Sequence, residues 1–170
     1  MPKGMQPIYR QVLGSSASTV TFNNIPQTFT DLKILINGKG TSANVSTVYM
    51  QINGVNSGYL GTVGYGETSG SGSFSIATTG VHCGYITGSV IDANATGITD
   101  IYIPNYRSNS FKQITSMGFS EGNASTYQAS VQSQHANISR SHAPVVSLTF
   151  FTDSTAYAAN TSFTLYGIGV

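Results

Sequence analysis

Three histidines, six carboxylates and a single cysteine are the side chains of this chain that could bind a metal ion or take part in catalysis. A zinc site takes about four ligands from cysteine, histidine or carboxylate side chains, commonly with some of them closely spaced. His82 and Cys83 are adjacent, and adjacent residues of a strand point to opposite faces, so the two cannot bind one ion together. His135 and His142 have no acidic residue nearby in the sequence. We therefore predict neither a metal site nor a cofactor.

The carboxylates do not form a recognisable catalytic pair. A glycoside hydrolase places two of them across a cleft, roughly 5 to 10 Å apart. Asp92, Asp100 and Asp153 fall at predicted strand ends or turns, where aspartate usually accepts hydrogen bonds from the local backbone. Asp31 is expected to do the same at the start of a strand. Cys83 has no lysine or arginine close in sequence that would lower its pKa. The sequence thus predicts that the chain is not an enzyme.

Six of the ten tyrosines are candidates for contact with a ligand or a partner. Tyrosine can stack on a sugar ring, contribute an amphipathic contact to a protein interface, or simply fill a strand position, because aromatic residues favour strands. The chain has no tryptophan, on which carbohydrate-binding sandwiches often rely. All three interpretations stay open for Tyr59, Tyr65, Tyr102, Tyr106, Tyr127 and Tyr157.

Charged residues make up only 8% of the chain, against about a quarter in an average soluble domain. The formal net charge is +1 and the lysines and arginines form no cluster, so the charge pattern of a nucleic-acid-binding protein is missing. Arg107 and Lys112 come closest to a basic pair, and we expect both in a solvated loop. No apolar run approaches the roughly 18 residues of a membrane-spanning helix. We therefore predict that neither nucleic acid nor a membrane is a partner.

Strands must position these side chains, because apolar and polar residues alternate along much of the chain. Leu32, Ile34 and Ile36 fall on one face, the period-two pattern of a half-buried strand. Before them, Ile25-Pro26-Gln27 predicts a corner, since proline cannot donate a hydrogen bond to a sheet. No segment shows a helical period. The pattern predicts an all-β fold, an antiparallel, jelly-roll-like β-sandwich of roughly eight to ten short strands.

The chain is expected to divide into an N-terminal arm and linker, residues 1–18, and a single β-sandwich domain, residues 19–170. Its mass of 17.9 kDa is enough for one domain with its own core. Proline and glycine prevent a helix in the arm. Ile8, Tyr9 and Arg10 of the arm are candidates for contact with a partner, although a loose terminus would explain them equally well.

A second candidate contact surface is the glycine-rich tract at residues 58–73, which contains six glycines. We expect a flexible surface loop there, with close approach to a neighbouring chain as the alternative. Tyr59 and Tyr65 are the side chains of this tract that would make such a contact.

Three short sequence blocks carry a resemblance to a known family. The blocks are residues 22–32 (FNNIPQTFTDL), 101–106 (IYIPNY) and 163–168 (FTLYGI). Through these blocks and their order, the chain resembles a widespread family of virion proteins of tailed bacteriophages. The resemblance spans nearly the whole chain and implies a β-sandwich structural protein. It implies no catalytic residue, because the blocks are strands and corners.

The resemblance implies a place in the virion, with two alternatives. In the first, the chain is a capsid decoration (cement) protein on the outer capsid surface, where it binds the major capsid protein in many copies and stabilises the shell. A homo-oligomer, with a trimer favoured, is then expected. The chain begins at Met1 and ends on the last strand of the family without an added stalk, which favours this alternative. In the second, it is a tail or fibre module that binds a host receptor glycan through exposed tyrosines.

Overall fold

The alternating residues form twelve strands in the computed structural model, which describes residues 4–43, 45–67, 70–89, 95–120, 132–139, 142–153 and 156–169. The strands, in chain order, are β1 (Met5–Val12), β2 (Thr19–Phe22), β3 (Asp31–Gly38), β4 (Ser46–Ile52), β5 (Tyr59–Glu67), β6 (Gly70–Thr78), β7 (Val81–Ile86), β8 (Gly97–Ile103), β9 (Lys112–Phe119), β10 (Gln132–Ser139), β11 (Leu148–Thr152) and β12 (Ser162–Ile168). Within the described ranges there is no helix, and so none that could cross a membrane.

The strands form two sheets around one hydrophobic core. The larger sheet has eight strands in the order β1-β12-β3-β8-β9-β10-β5-β6, and the smaller has four in the order β2-β11-β4-β7. All pairings between these strands are antiparallel. Along the chain, single strands of the smaller sheet alternate with strands of the larger one, as in a jelly roll. The predicted all-β antiparallel sandwich is confirmed.

Part of the predicted N-terminal arm belongs to the larger sheet. Strand β1 (Met5–Val12) pairs with β12 over its whole length, from Met5 opposite Ile168 to Val12 opposite Ser162. Pairing satisfies backbone groups that a loose arm would leave to water. The structure therefore has a paired strand within residues 1–18, which the sequence predicts to be an N-terminal arm and linker.

The glycine-rich tract is a hairpin, which corrects the prediction of a flexible loop. Strands β5 and β6 pair from Tyr59 opposite Thr78 to Glu67 opposite Gly70, and β5 also pairs with β10. Glycine weakens a strand without forbidding it. Backbone hydrogen bonds to a strand on each side hold β5 in place despite its glycines. Together with β1, this strand accounts for the twelve strands found where eight to ten are predicted.

The inward faces of the strands build the core. Leu32, Ile34 and Ile36 of β3 are fully buried, as their alternation predicts, and they share one apolar cluster with Met50 and Ile52 of β4. Burying one such side chain stabilises the fold by about 1.5 to 3 kcal/mol. The core therefore lies between the two sheets, and the second face of the larger sheet is left for other contacts.

At strand β7 the two sheets approach within backbone contact. A Cβ atom at Gly118 of β9 would lie 2.7 Å from the backbone nitrogen of Tyr85, and one at Gly97 of β8 would lie 2.7 Å from Cα of Ile86. Real Cβ atoms essentially never come this close to another heavy atom. Only glycine at both positions lets the larger sheet close over this edge of the smaller one.

The three sequence blocks that carry the resemblance lie against each other. Leu32 of the first block is paired with Ile103 of the second on one side and with Gly167 of the third on the other. The hydroxyl of Tyr106 donates a hydrogen bond to the carbonyl of Pro26, which joins the second block to the corner of the first. The blocks thus form one unit of three neighbouring strands and a corner.

Lys112 is buried, and the prediction that it lies in a solvated loop was wrong. Its side chain is 1% exposed, and its Nζ donates hydrogen bonds to the carbonyls of Ser108 at 2.6 Å and Ser110 at 2.7 Å. Burial lowers the pKa of Lys112. Arg107, by contrast, is exposed, and its Nη1 donates to the carbonyl of Gln27 at 2.9 Å.

Candidate functional site

The five residues predicted to contact a partner are not brought together. Ile8, Tyr9 and Arg10 lie on β1, at one edge of the larger sheet, whereas Tyr59 and Tyr65 lie on β5, six strands away in the same sheet. One ligand or one partner surface therefore cannot use all five unless it spans most of the sheet.

On β1, only Arg10 has an exposed side chain among the three predicted residues. The Tyr9 ring is stacked on Phe22, with centroids 5.4 Å apart and planes 6° from parallel, and its hydroxyl donates to the carbonyl of Asn23 at 2.7 Å. Ile8 is partly buried against the core. Tyr9 and Ile8 therefore anchor β1 to the sandwich, and Arg10 is free to meet a partner.

On β5, Tyr59 belongs to the core. It is 2% exposed, and its hydroxyl accepts a hydrogen bond from Ile52 N and donates one to the carbonyl of Val55, both at 2.9 Å. Tyr65 is half-buried and tilted against Phe74, with ring centroids 6.1 Å apart. Neither ring is a free stacking platform.

Of the remaining candidate tyrosines, one lines a groove. Tyr106 and Tyr157 are fully buried, and Tyr127 lies outside the described residues. Tyr102 is half-buried on the outer face of β8 and lines a groove of about 770 Å³. We call this feature the outer-face groove, and it is lined by Thr62, Gly64, Ser73, Ile98, Asp100, Tyr102, Thr115, Ser116, Met117 and Phe119.

The outer-face groove crosses strands β8, β9, β5 and β6, and β10 runs between β9 and β5. Alternation explains most of its lining, because every second residue of these strands points away from the core. Ser116 is the exception, since it is buried and its hydroxyl donates a hydrogen bond to the His82 carbonyl. On β8, Ile98 and Asp100 face outward while Thr99 and Ile101 are buried. A volume near 770 Å³ is in the usual range of ligand pockets, about 300 to 1,000 Å³.

Hydrogen bonds fix the polar side chains at the β3–β8 boundary of the groove. The Tyr102 hydroxyl donates to Oδ2 of Asp31 at 2.7 Å, and Oδ1 of Asp31 accepts from the backbone N–H of Asn105, also at 2.7 Å. The hydrogen bond to Asp31 is the main reason that the pKa of Tyr102 is raised. Beside them, Lys33 Nζ and Asp100 Oδ2 form an ion pair at 2.8 Å. The Tyr102 ring is thus held in place before any ligand arrives.

The described carboxylates have structural partners. Asp153 accepts hydrogen bonds from the backbone N–H of Thr47 at 3.2 Å and from its hydroxyl at 2.8 Å. Asp31 and Asp153 bind backbone N–H groups, but the expectation that these groups would be local was wrong, because Asn105 and Thr47 are remote from them in sequence. Asp100 is the one carboxylate lining the described part of the groove. The Glu67 side chain, Asp92 and Glu121 lie outside the described part of the chain.

His82 occupies an aromatic cluster, with Tyr49, Tyr85 and Phe74 at ring-centroid distances of 5.4, 5.2 and 6.2 Å. It is 2% exposed, and burial lowers the pKa of His82 to about 4, although the nearby Asp153 carboxylate acts in the opposite direction. His82 is therefore neutral at physiological pH. In the described ranges, no three His, Cys, Asp or Glu side chains come together to hold a metal ion.

The chain contains a Gly-x-Ser-x-Gly segment, Gly118-Phe119-Ser120-Glu121-Gly122, which the sequence-based prediction of no enzyme does not take into account. In hydrolases with this motif, the serine is exposed on a sharp turn from a strand to a helix. Here Ser120 directly follows β9 of an antiparallel sheet and is 1% exposed. The motif therefore lacks the setting of a nucleophile.

Comparison with known proteins gives the fold. No model of a protein family matches the chain, and no curated protein is similar to it in sequence. Among solved structures it is similar to an exo-inulinase from Aspergillus awamori, with a TM-score of 0.50 and 10% identity over 99% of this chain and 30% of the enzyme. A fructosyltransferase from A. japonicus matches with a TM-score of 0.41 and 10% identity over 99% of this chain and 26% of that one. The chain thus spans less than a third of either enzyme, and the first likeness shows a shared fold.

Proposed function

We propose that this chain is a structural protein of a tailed-bacteriophage virion and that it decorates the outer capsid shell. The observation that carries the proposal is the contact among the three sequence blocks. Strand β3, with the corner before it, lies between β8 and β12, and these elements contain all three blocks. The resemblance therefore rests on strands that are neighbours in one sheet rather than on strands that lie far apart.

The proposed mechanism is stapling of the capsid lattice. A protein that binds adjacent copies of the major capsid protein in the assembled shell, and binds free subunits less well, stabilises the shell by mass action. A polar surface with a net charge of +1 suits repeated close docking, because like-charge repulsion between neighbouring copies is small. A trimer would let one decoration unit contact several capsid subunits at once.

Strand β1 is the proposed contact surface. It is one of the two edge strands of the larger sheet, and it carries the exposed Arg10 together with Met5 and Val12, which are 49% and 52% exposed. Methionine and arginine are enriched at protein interfaces relative to the rest of the surface. Deleting residues 1–10 would also remove most of an edge strand, so point variants test this surface better.

The copy number in purified virions tests the proposal. Quantitative mass spectrometry should give a ratio to the major capsid protein close to one copy of this chain per capsid subunit. A count at the level of the tail proteins would contradict decoration of the shell. Charge reversal by Arg10→Glu should reduce occupancy of stripped capsids, and the matched reversal Arg107→Glu on an exposed turn should leave it unchanged.

The second candidate is a tail or fibre module that binds a host glycan. The observation that favours it is the outer-face groove, in which Tyr102 is the partly exposed aromatic side chain that the sequence analysis considered for sugar stacking. A low copy number in the virion, together with binding of the isolated chain to glycans, would make this candidate the better one.

A further inference from the structure

We infer that the outer-face groove is a binding site for a neutral oligosaccharide. The inference rests on the second function proposed above, glycan binding, and assigns to it a site and a ligand class. It does not depend on whether the chain sits on the capsid or on the tail, because the site lies within one copy of the chain.

The floor of the groove contains Gly64, a strand glycine that the fold itself does not require. Several other strand glycines are explained by crowding, as at Gly38, where a Cβ atom would lie 2.3 Å from the Thr161 hydroxyl oxygen. At Gly64 of β5, a Cβ atom would come within 4 Å of no described atom, and the residue has no positive φ. Because glycine weakens a strand, its use here fits close approach of a molecule from outside.

The walls of the groove offer the two kinds of contact that a sugar needs. A pyranose ring presents an apolar C–H face and a rim of hydroxyl groups. The ring of Tyr102 and the side chains of Met117 and Phe119 supply apolar surface, and Phe119 is 41% exposed. Hydroxyl groups line the same space on Thr62, Ser73 and Thr115.

The charges of the groove select a neutral ligand. Asp100 is the charged side chain among its described lining residues, and it is paired with Lys33 at 2.8 Å. An anionic sugar would meet a carboxylate without an uncompensated cation to bind, and a cationic ligand would have to compete with Lys33. A ligand without net charge avoids both costs and can still donate hydroxyl hydrogen bonds to Asp100.

The dimensions of the groove suit a short oligosaccharide. From β8 to β6 there are four interstrand steps, which at about 4.8 Å each gives a width of about 19 Å. The Tyr102 ring is anchored by its hydroxyl to Asp31, and Asp31 is itself anchored by Asn105. A ring that is already held loses little freedom on binding, which favours affinity.

The test uses the isolated full chain on an array of neutral gluco-, galacto- and manno-oligosaccharides, with sialylated and sulfated oligosaccharides on the same array. We expect binding to a neutral probe, followed by titration calorimetry with that probe. Gly64→Val fills the groove at a site with open space around it, and it should weaken binding by at least about tenfold. Gly14→Val, the same change at a loop glycine with equally open space, should leave binding unchanged.

Two substitutions of Tyr102 separate the contribution of ring stacking to binding from that of the hydroxyl group. Tyr102→Ala should weaken binding at least as strongly as Gly64→Val, whereas Tyr102→Phe keeps the ring and should retain most of the affinity. Circular dichroism and thermal melts of each variant establish that it is folded, and Gly64→Val is expected to fold because a Cβ atom at position 64 meets no described atom and valine favours strands.

Three results would overturn the inference. The first is no binding to any neutral probe, and the second is binding to acidic probes alone. The third is a dimer in sedimentation analysis that Gly64→Val dissociates, since the groove would then hold a second copy of the chain. None of these results bears on virion copy number, so the capsid proposal stands or fails separately.

Discussion

Gly167 of β12 lies directly against the ring of Phe29, and a Cβ atom at position 167 would be 2.2 Å from Cγ of that ring. Phe29 belongs to the corner before β3, and Gly167 belongs to the last strand. Residues at opposite ends of the chain therefore pack together only because one of them has no side chain. This contact joins two of the three blocks on which the family resemblance rests.

The contact predicts that Gly167→Ala is destabilising by about 1 to 3 kcal/mol, because the added methyl group displaces a packed aromatic ring. Urea unfolding followed by fluorescence or circular dichroism measures the loss. Gly64→Ala is the matched control, since the same methyl group at that strand position meets open space and should change stability little. Equal effects of the two substitutions would show that strand propensity, not the Phe29 contact, governs position 167.

Tyr106→Phe should destabilise the corner by about 1 kcal/mol, because the Pro26 carbonyl loses the hydroxyl that donates to it. Tyr106 is fully buried, so its ring should keep its place in the core. The control is Tyr166→Phe, whose hydroxyl makes no hydrogen bond to a described residue. If thermal unfolding shows no difference between the two variants, the corner does not depend on this hydrogen bond.

Lys112→Met should cost about 1 to 3 kcal/mol, because two hydrogen bonds from a charged donor to the Ser108 and Ser110 carbonyls are lost while the apolar stem is kept. Lys33→Met removes a partly exposed lysine from its ion pair with Asp100, and ion pairs at the surface contribute only about 0 to 1 kcal/mol. Chemical denaturation of both variants compares their free energies of unfolding. A larger loss for Lys33→Met would contradict the structural role of Lys112.

The low pKa of His82 predicts that the free energy of unfolding decreases as the pH is lowered. Its pKa is about 4 in the folded chain and about 6.5 when unfolded, so between these values the unfolded state binds more protons. The contribution of neutral His82 to the free energy of unfolding is therefore present above about pH 6.5 and is lost as the pH falls toward 4. The loss should be on the order of 2 kcal/mol between about pH 7 and pH 5, measured by thermal or urea unfolding.

His82→Phe tests that assignment, because it keeps an aromatic ring among Tyr49, Tyr85 and Phe74 and removes the titrating group. The variant should lose much of the dependence on pH over the same interval. The exposed His142 remains in both proteins, so its effect cancels in the comparison. An unchanged pH dependence in the variant would assign the titration to another group.

The strands could be predicted where a local pattern specifies them. The alternation of Leu32, Ile34 and Ile36 sets which face of β3 is buried, because side chains in a strand alternate regardless of its partner. The same reasoning fails for β1 and β5, whose proline and glycine content argues against a strand. Both form because a neighbouring strand supplies hydrogen bonds, which no local pattern reports.

The candidate site was only partly accessible to sequence reasoning. Tyr102 is one of six candidate tyrosines, and its place between Ile101 and Ile103 puts it on the opposite face of the strand by alternation, whereas no such pattern indicates that Tyr106 is buried. The difference arises from position along β8 and the loop that follows it. Tyr102 points outward from the strand, and Tyr106 turns its hydroxyl toward Pro26.

By itself, the sequence determined the all-β class, the corner at Pro26, the low charge and the scarcity of catalytic side chains, because these depend on residue type and on spacing over a few positions. Only the tertiary structure decided that Met5–Val12 is an edge strand, that Lys112 is buried, and that Thr62, Tyr102 and Phe119 share one groove. These features depend on pairing between segments far apart in the chain. Such pairing is selected by the packing of the whole core, and so no short stretch of sequence contains it.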